Sequence, residues 1–207
     1  YDWNDKGFVD ASKVKLINEG KYSENIIEKW VMNDGIWYYY LGEKYAVGLK
    51  CIDGYWYYFN QNGEMQIGWQ KIDGKWYYFR PDGNMRIGWE EINGYWYYFN
   101  EDGVMQTGWQ EIGGKWYYFR PDGNMRIGWE EINGYWYYFG SDGVMQTGWQ
   151  ELGGKWYYFR SDGNMRIGWE KINSCWYYFN GDGVMLTGTQ KIDGVIYNFK
   201  DNGMLIE

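Results

Sequence analysis

The residues best suited to chemistry in this chain are tryptophans at a fixed spacing. Trp69 and Trp76 lie seven residues apart, and this pair returns at 20-residue intervals along most of the sequence. A methionine follows the second tryptophan of each regular pair by nine residues, as Met85 follows Trp76. Electron-rich ring faces attract cations, quaternary ammonium ions in particular, and a thioether adds a soft, polarisable wall. The pattern predicts aromatic cages for a methylated cation.

The composition argues against most other chemistries. The 207 residues include no His and two Cys, whereas 24% of them are aromatic. Without His there is no Ser-His-Asp or Cys-His nucleophile system and no His-ligated metal. Two Cys cannot form a disulfide framework or a Cys-rich zinc site. Glutamates that recur with the repeat, such as Glu90 and Glu91, are interpreted as solvated surface rather than a glycosidase pair. We expect no catalytic residue, metal or cofactor.

Charge and hydropathy restrict the partners. The net charge of −8 does not supply the counterion release that drives nucleic-acid binding, and it favours a cationic ligand. No apolar run reaches the roughly 18 residues that a membrane-spanning helix needs. No charged-then-apolar leader opens the sequence, so an export signal is expected to lie outside it or to have been removed. We expect neither nucleic-acid binding nor membrane insertion.

The elements that must position the tryptophans are β-hairpins. In residues 68–87, the strands 68–72 and 75–79 flank Asp73-Gly74, a two-residue hairpin turn, and Asp82-Gly83 makes a second turn. The Trp-Tyr-Tyr-Phe tetrad marks each return strand. Regular tetrads begin at Trp56, Trp76, Trp96, Trp116, Trp136, Trp156 and Trp176, with variants at Trp37 and Ile196.

A lone hairpin is barely stable in water, whereas stacked hairpins bury a shared core. The predicted fold is therefore all-β, a solenoid of stacked β-hairpins with about 20 residues per repeat over residues 30–207. Residues 1–29 lack the repeat and are expected to form a partly helical cap, a linker or the remnant of an upstream domain.

Strand alternation divides the rings of each tetrad. Trp76 and Tyr78 share one face of the hairpin, and Tyr77 and Phe79 share the other. Because Phe has no polar tip, its face is predicted to be the core, and the tryptophan and second tyrosine are predicted to face a groove between units. Trp69 is expected almost directly opposite Trp76. The alternative that the tryptophans are simply core stays open, although each buried indole N–H would then need a partner.

The segment GWQKIDGKWYYFRPDGNMRIGW, residues 68–89, closely resembles the choline-binding, or cell-wall-binding, repeats of Gram-positive bacterial surface proteins and phage endolysins. The resemblance extends over about residues 30–207. It implies a left-handed solenoid with about three hairpins per superhelical turn, and choline of teichoic acids held between successive hairpins. It also implies a secreted or cell-surface protein, or a phage-encoded one acting on the host cell wall.

Transferred unit by unit, the resemblance implies cages that combine two tryptophans with the second tyrosine and the methionine of the next unit. The five regular sets are Trp69, Trp76, Tyr98 and Met105; Trp89, Trp96, Tyr118 and Met125; Trp109, Trp116, Tyr138 and Met145; Trp129, Trp136, Tyr158 and Met165; and Trp149, Trp156, Tyr178 and Met185. A sixth, irregular set is Trp30, Trp37, Tyr58 and Met65. Leu49 replaces one tryptophan, and Asn198 stands where a second tyrosine should follow Trp176, so those junctions are expected to be weak or absent.

Other interpretations remain beside this one. Related repeats of clostridial toxins and glucan-binding proteins bind carbohydrate, so cell-wall glycans are an alternative ligand, and homodimer formation stays open. The recurring arginines, such as Arg80 and Arg86, are predicted to pair with neighbouring glutamates rather than with phosphate. Residues 15–30 faintly resemble the end of a phage-type lysozyme domain, which suggests that the chain targets a cell-wall hydrolase.

Overall fold

The computed structural model describes residues 28–206, and all of their helical or strand structure is β-strand, as the sequence predicts. Among these residues no helix is long and apolar enough to cross a membrane. The strands are β1 (Glu28–Asn33), β2 (Ile36–Leu41), β3 (Lys44–Tyr45), β4 (Gly48–Ile52), β5 (Tyr55–Phe59), β6 (Gly68–Ile72), β7 (Lys75–Phe79), β8 (Gly88–Ile92), β9 (Tyr95–Phe99), β10 (Gly108–Ile112), β11 (Lys115–Phe119), β12 (Gly128–Ile132), β13 (Tyr135–Phe139), β14 (Gly148–Leu152), β15 (Lys155–Phe159), β16 (Gly168–Ile172), β17 (Cys175–Phe179), β18 (Gly188–Ile192) and β19 (Val195–Phe199).

Within residues 28–206 the strands pair as hairpins, eight of them two-stranded sheets and one a three-stranded sheet. We name each hairpin after the first residue of its tetrad, so that β6 and β7 form the Trp76 hairpin and β18 and β19 the Ile196 hairpin. β3 adds a third strand to the Trp37 hairpin. β1 begins at Glu28, so that hairpin includes residues 28 and 29 of the predicted cap. Residues 1–27, and with them the predicted helical stretches, lie outside the described residues.

The hairpin turns adopt the backbone conformation that their sequence predicts. Asp73 has φ 50° and Gly74 has φ 80°, so both central residues are left-handed, as a type I′ turn requires. The Asn173-Ser174 turn, which departs from the sequence pattern, forms the same way with φ 47° and 69°. Ser174 thus occupies a conformation that normally favours Gly.

The described residues form two compact units. Residues 28–48 with 59–65 make up the first, and residues 49–58 with 66–206 make up the second. The regular hairpins from Trp76 onward all belong to the second unit, which is therefore where the geometry of successive hairpins can be read.

Each hairpin in the second unit has two different faces. In the Trp76 hairpin, Trp69 pairs with Tyr78 and Lys71 pairs with Trp76, so these four side chains share what we call the indole face. Phe79 and Tyr77 lie on the opposite, phenylalanine face. The indole face of one hairpin packs against the phenylalanine face of the next, since Trp69 lies 5.7 Å from Phe99 between ring centroids.

The phenylalanines form the core, as predicted from their lack of a polar group. Those of the regular tetrads, from Phe59 to Phe179, have no exposed surface. An isoleucine on the same face, such as Ile92 or Ile132, is buried in alternate hairpins as far as the Trp176 hairpin, and in the Ile196 hairpin as well. Tyr77 is the one first tyrosine of the regular tetrads that is buried, and the other six, such as Tyr97, are half-buried.

The loops between hairpins connect three consecutive repeats. The amide N–H of Met105 donates to the carbonyl of Trp76 in the preceding hairpin, with N and O 2.8 Å apart. The side chain of Met105 packs over Gly123 in the following loop, where an added Cβ would lie 2.3 Å from its sulfur. The same arrangement repeats along the second unit. Each methionine therefore contributes to packing and also borders the junction, by which we mean the space between two successive hairpins.

Candidate ligand-binding site

Two tryptophans with steeply inclined rings lie on the indole face of each hairpin from Trp76 to Trp176. The ring centroids of Trp69 and Trp76 are 6.3 Å apart, and the ring planes meet at 89°. The expectation that these residues are almost directly opposite is wrong, because Trp69 pairs with Tyr78 and Trp76 pairs with Lys71. The two indoles are diagonal neighbours, a separation that large aromatic side chains can span.

The next hairpin supplies a third ring. Tyr97 approaches Trp69 to 4.9 Å between centroids, with an interplanar angle of 65°. Trp69 thus contacts Trp76 in its own hairpin and Tyr97 in the following one. Because both neighbouring planes are steep to the central indole, the three rings resemble walls of an open box rather than a flat stack.

Six such ring sets are present in the second unit. Each combines the two tryptophans of one hairpin with the first tyrosine of the next tetrad. They are Trp69, Trp76 and Tyr97; Trp89, Trp96 and Tyr117; Trp109, Trp116 and Tyr137; Trp129, Trp136 and Tyr157; Trp149, Trp156 and Tyr177; and Trp169, Trp176 and Tyr197.

The tetrad tryptophan is the most open member of each set. Its exposed fraction lies between 40% and 43% in all six hairpins from Trp76 to Trp176. The other two rings are half-buried in every set. An indole that served only as core would not keep this much surface in every repeat, and the geometry thus favours an open aromatic site over the alternative that the tryptophans are simply core.

The tyrosine predicted to complete each cage is not the one that the structure brings to the tryptophans. Tyr98 lies on the indole face of its own hairpin, 5.1 Å from Trp89, and it packs 6.4 Å from Phe119. It is Tyr97, one residue earlier, that meets Trp69 across the junction. The predicted combinations that included Tyr98, Tyr118, Tyr138, Tyr158 and Tyr178 are corrected accordingly. The physical reason is the way in which hairpins stack. The indole face of one hairpin meets the phenylalanine face of the next, and that face carries the first tyrosine.

The backbone of each predicted methionine lies next to the tetrad tryptophan of a ring set. Met105 is held by its hydrogen bond to the carbonyl of Trp76, and its side chain extends toward Gly123. The equivalent N–H···O distance is 2.8 Å for Met125, Met145, Met165 and Met185. Methionine therefore borders the tetrad tryptophan while its thioether covers the next glycine.

The irregular set divides between the two units. Trp30 and Trp37 lie in the first unit with ring centroids 6.2 Å apart, and Met65 donates its N–H to the carbonyl of Trp37. Tyr58 belongs to the second unit, where it stacks on Phe79 with the centroids 6.0 Å apart.

One ring set was missed by reasoning from the sequence. The junction after Trp176 was expected to be weak or absent because Asn198 replaces the second tyrosine. The first tyrosine of a tetrad is the one that contacts the preceding hairpin. Tyr197 therefore completes the set, with its ring centroid 4.9 Å from that of Trp169. Leu205 takes the methionine position and donates its N–H to the carbonyl of Trp176. The Tyr197 side chain could have been recognised from its alignment with the first tyrosines.

The Ile196 hairpin ends this series of sites. Thr189 and Asn198 occupy the paired positions that hold Trp69 and Tyr78 in the Trp76 hairpin. The Thr189 hydroxyl donates to Oδ1 of Asn198 at 2.7 Å. The face that corresponds to the indole face therefore carries no tryptophan, as the sequence indicates.

Arginines beside the sites pair with glutamate, as predicted. Glu90 accepts from both Arg80 and Arg86, with Oε2 2.8 Å from Arg80 Nη2 and 2.7 Å from Arg86 Nε. The hydrogen bonds that Arg80 donates to Glu90 raise the pKa of Arg80 above its ordinary value. Equivalent triads form at Glu130 and Glu170. Each carboxylate thus pairs with two guanidinium groups within the chain.

The tyrosines that complete alternate ring sets have pKa values above the ordinary value. Burial raises the pKa of Tyr97 above its ordinary value, and the carboxylate of Asp122 raises it further. Tyr137 shows the same shift from burial, with Asp162 as the next contribution. A neutral phenol keeps an apolar, electron-rich surface toward Trp69 and its equivalents.

Among residues 28–206 no group of three His, Cys, Asp or Glu side chains is arranged to hold a metal ion.

Comparison with known families agrees with this geometry. The family model of the choline-binding repeat matches four consecutive stretches, residues 46–87, 86–127, 126–167 and 166–206. The chain belongs to the choline-binding repeat family. Each match covers two hairpins, which agrees with the alternation of two kinds of unit along the sequence. The family is that of binding repeats, and a search of curated proteins gave no match.

Solved structures with choline-binding repeats share the fold. Choline-binding protein F of Streptococcus pneumoniae, in the presence of a peptidoglycan analogue, is 36% identical with a TM-score of 0.77, over 83% of this chain and 61% of that one. The choline-binding domain of CbpL from S. pneumoniae is 30% identical with a TM-score of 0.62, over 86% of this chain and 96% of that one. The modular autolysin LytC from S. pneumoniae is 29% identical with a TM-score of 0.62, over 86% of this chain and 42% of the autolysin.

Proposed function

We propose that this chain captures choline groups of cell-wall teichoic acids in the junctions between successive hairpins. A choline headgroup would lie against Trp69, Trp76 and Tyr97, with Met105 at the border of the site, and the five equivalent junctions would act in the same way. The observation that carries this proposal is the half-exposed tetrad tryptophan beside two steeply inclined rings, repeated in six hairpins with angles of 75° to 89° between the two indole planes.

The ring geometry favours a compact cation over a sugar. A sugar stacks best on a single flat ring face that lies open to solvent. Here the planes of Trp69 and Trp76 meet at 89°, and those of Trp69 and Tyr97 at 65°. Such a box surrounds a rounded trimethylammonium group, which has methyl groups rather than strong hydrogen-bond donors. The net charge of −8 adds a long-range attraction for cations. Carbohydrate binding remains the alternative function to be tested.

Repetition would turn weak sites into firm attachment. A single exposed cation–π contact contributes about 0.5–2 kcal/mol. When several sites engage one polymer that displays many choline groups, avidity can exceed the single-site affinity by about 10²–10⁴-fold. The number of junctions is therefore itself part of the proposed mechanism.

We further propose that the repeats serve as the non-catalytic targeting part of a secreted or surface-attached protein, with any catalytic activity residing in another domain. A wall hydrolase is the attached domain that we favour. The match to the modular autolysin LytC supports this arrangement, since the similarity covers 42% of that protein and leaves room for a further module there. The faint resemblance of residues 15–30 to a lysozyme terminus points in the same direction.

A sedimentation assay with purified cell walls tests the proposal. Walls carrying choline-decorated teichoic acid should retain the protein, and millimolar free choline should release it. The same walls stripped of teichoic acid should retain little, and glucose oligomers at equal concentration should not cause release. Retention that glucose oligomers reverse and choline does not would establish the carbohydrate alternative instead.

A further inference from the structure

The residue that faces each tetrad tryptophan across its hairpin differs in charge from site to site. These residues occupy the same position on the indole face and are exposed in every case. The pairs are Lys71 with Trp76, Glu91 with Trp96, Glu111 with Trp116, Glu131 with Trp136, Glu151 with Trp156, and Lys171 with Trp176. Four inner sites thus carry a glutamate, and the two outer sites of the second unit carry a lysine.

The lysines place a cation of the chain itself on the ring. Nζ of Lys71 lies 5.7 Å from the centroid of the Trp76 ring, and Nζ of Lys171 lies 5.8 Å from that of Trp176. Both distances are within the range of about 6 Å in which a cation–π attraction is effective. An incoming quaternary ammonium ion must therefore displace this ammonium group or bind beside a like charge.

The glutamates create the opposite environment at the inner sites. Glu91 pairs directly with Trp96, and directly opposite residues of a hairpin have Cβ atoms about 4.5–5.5 Å apart, so the Glu91 carboxylate is within reach of a cation on the Trp96 ring. A carboxylate at this range attracts a cation held on the ring, and the attraction is screened by salt because the group is exposed. It has no comparable effect on an uncharged ligand.

We infer that the residue opposite the tetrad tryptophan sets the affinity of each junction for a quaternary ammonium ion. The glutamate sites bind such a cation more tightly than the lysine sites. The array therefore has a high-affinity centre flanked by two weaker, self-occupied junctions. This inference rests on the proposed function, because it assigns a ranking to the sites where choline is proposed to bind.

Site-resolved NMR can measure the ranking. The indole N–H signals of Trp76 and Trp96, assigned with single Trp→Phe variants, are followed while choline chloride is added to the intact protein at low ionic strength. We expect the Trp96 site to have a dissociation constant about 3- to 10-fold lower than the Trp76 site. Lys71→Glu should bring the Trp76 site to the affinity of Trp96, whereas Glu91→Lys should weaken the Trp96 site by a similar factor.

Two controls isolate the charge. Lys71→Met, which copies the Met32 that faces Trp37 in the first hairpin, should give an intermediate affinity at Trp76. The neutral analogue 3,3-dimethylbutan-1-ol, which has the shape of choline without its charge, should show no ranking between glutamate and lysine sites. About 0.5 M sodium chloride should shrink the difference seen with choline.

The outcomes separate this inference from the proposed function. Choline binding with equal affinity at Trp76 and Trp96, unchanged by Lys71→Glu and Glu91→Lys, would overturn the ranking and leave the choline-binding function intact. A ranking that persists with the neutral analogue would also overturn it, since shape rather than charge would then be responsible. The absence of any choline response at either indole would contradict the proposed function itself.

Discussion

The indole of Trp69 and the phenol of Tyr97 belong to successive hairpins, and their ring centroids lie 4.9 Å apart. This contact shows which tyrosine of the tetrad crosses the junction. It also shows that each ring set combines residues of two hairpins, since Trp69 and Trp76 come from one and Tyr97 from the next.

Replacing Tyr97 tests its assignment to the site. Tyr97→Leu removes the third ring while keeping an apolar side chain, so choline affinity at the Trp69–Trp76 junction should fall about 2- to 30-fold, the equivalent of one cation–π wall. Tyr97→Phe should retain binding because the ring remains. The indole N–H signals of Trp69 and Trp76 during a choline titration provide the measurement.

The matched variant for this prediction is Tyr98→Leu. Tyr98 packs on Trp89 and Phe119, so its loss should lower stability without a specific effect on the Trp69–Trp76 junction. If Tyr98→Leu weakened choline binding at that junction and Tyr97→Leu did not, the assignment of the first tyrosine would be wrong.

The contact between Met85 and Gly103 predicts a sharp steric limit in the loops. A Cβ on Gly103 would lie 2.5 Å from the sulfur of Met85, and the residue has φ +76°. Gly103→Ala should therefore combine about 1–2 kcal/mol of backbone strain with about 1–3 kcal/mol of overpacking. Gly114→Ala has nearly the same φ, +75°, but meets nothing within 4 Å, and should show the strain alone. Denaturant unfolding of both variants measures the difference, and equal losses would show that the methionine simply moves aside.

The turn at Asn173-Ser174 offers a stabilising change. Ser174 has φ 69°, a left-handed conformation that costs a non-glycine residue about 1–2 kcal/mol, part of which glycine gives back through its greater freedom in the unfolded chain. Ser174→Gly should therefore raise stability by about 0.5–1 kcal/mol. Asn173→Gly, at φ 47°, should gain less because Asn tolerates this region. Denaturant unfolding measures the stability of both variants. An unchanged or lowered midpoint for Ser174→Gly would contradict the strain argument.

Alkaline pH should destabilise the array. Burial is the main cause that raises the pKa of Tyr97, Tyr137 and Tyr177, so folding favours their neutral form. Their contribution to stability is fully present below the unfolded pKa of about 10 and is lost as the pH rises through the higher folded value. Denaturant midpoints measured from pH 8 to 12 should fall above about pH 10. The denaturant midpoint of the Tyr97→Phe and Tyr137→Phe double variant should fall less steeply with pH. If its midpoint fell as steeply as that of the unmodified protein, other groups would be the cause of the loss.

Much of this fold follows from local sequence. The Asp73-Gly74 turn and the alternation of Trp76 and Tyr77 predict the hairpin and its two faces, and the lack of a polar group on Phe79 predicts the core. These features depend on neighbouring residues in one hairpin, where turn geometry and strand period are decisive.

The stacking between hairpins could not be read in the same way. Strand period indicates that Tyr98 shares a face with Trp96, but not whether the next hairpin presents that face or the opposite one to Trp69. Face-to-back packing is a property of the assembled array, and it moves the partner ring from Tyr98 to Tyr97. For the same reason the set completed by Tyr197 was not predicted, since Asn198 replaces only the second tyrosine, which does not cross to Trp169.

Tryptophan fluorescence during a titration with free choline tests the central claim most directly, with glucose oligomers added to a parallel sample. Because the half-exposed indoles of Trp76 and its equivalents are proposed to contact the ligand, millimolar choline should produce a saturable change in emission, and glucose oligomers should produce none. An emission spectrum that choline leaves unchanged, or that responds to glucose oligomers instead, would contradict the account.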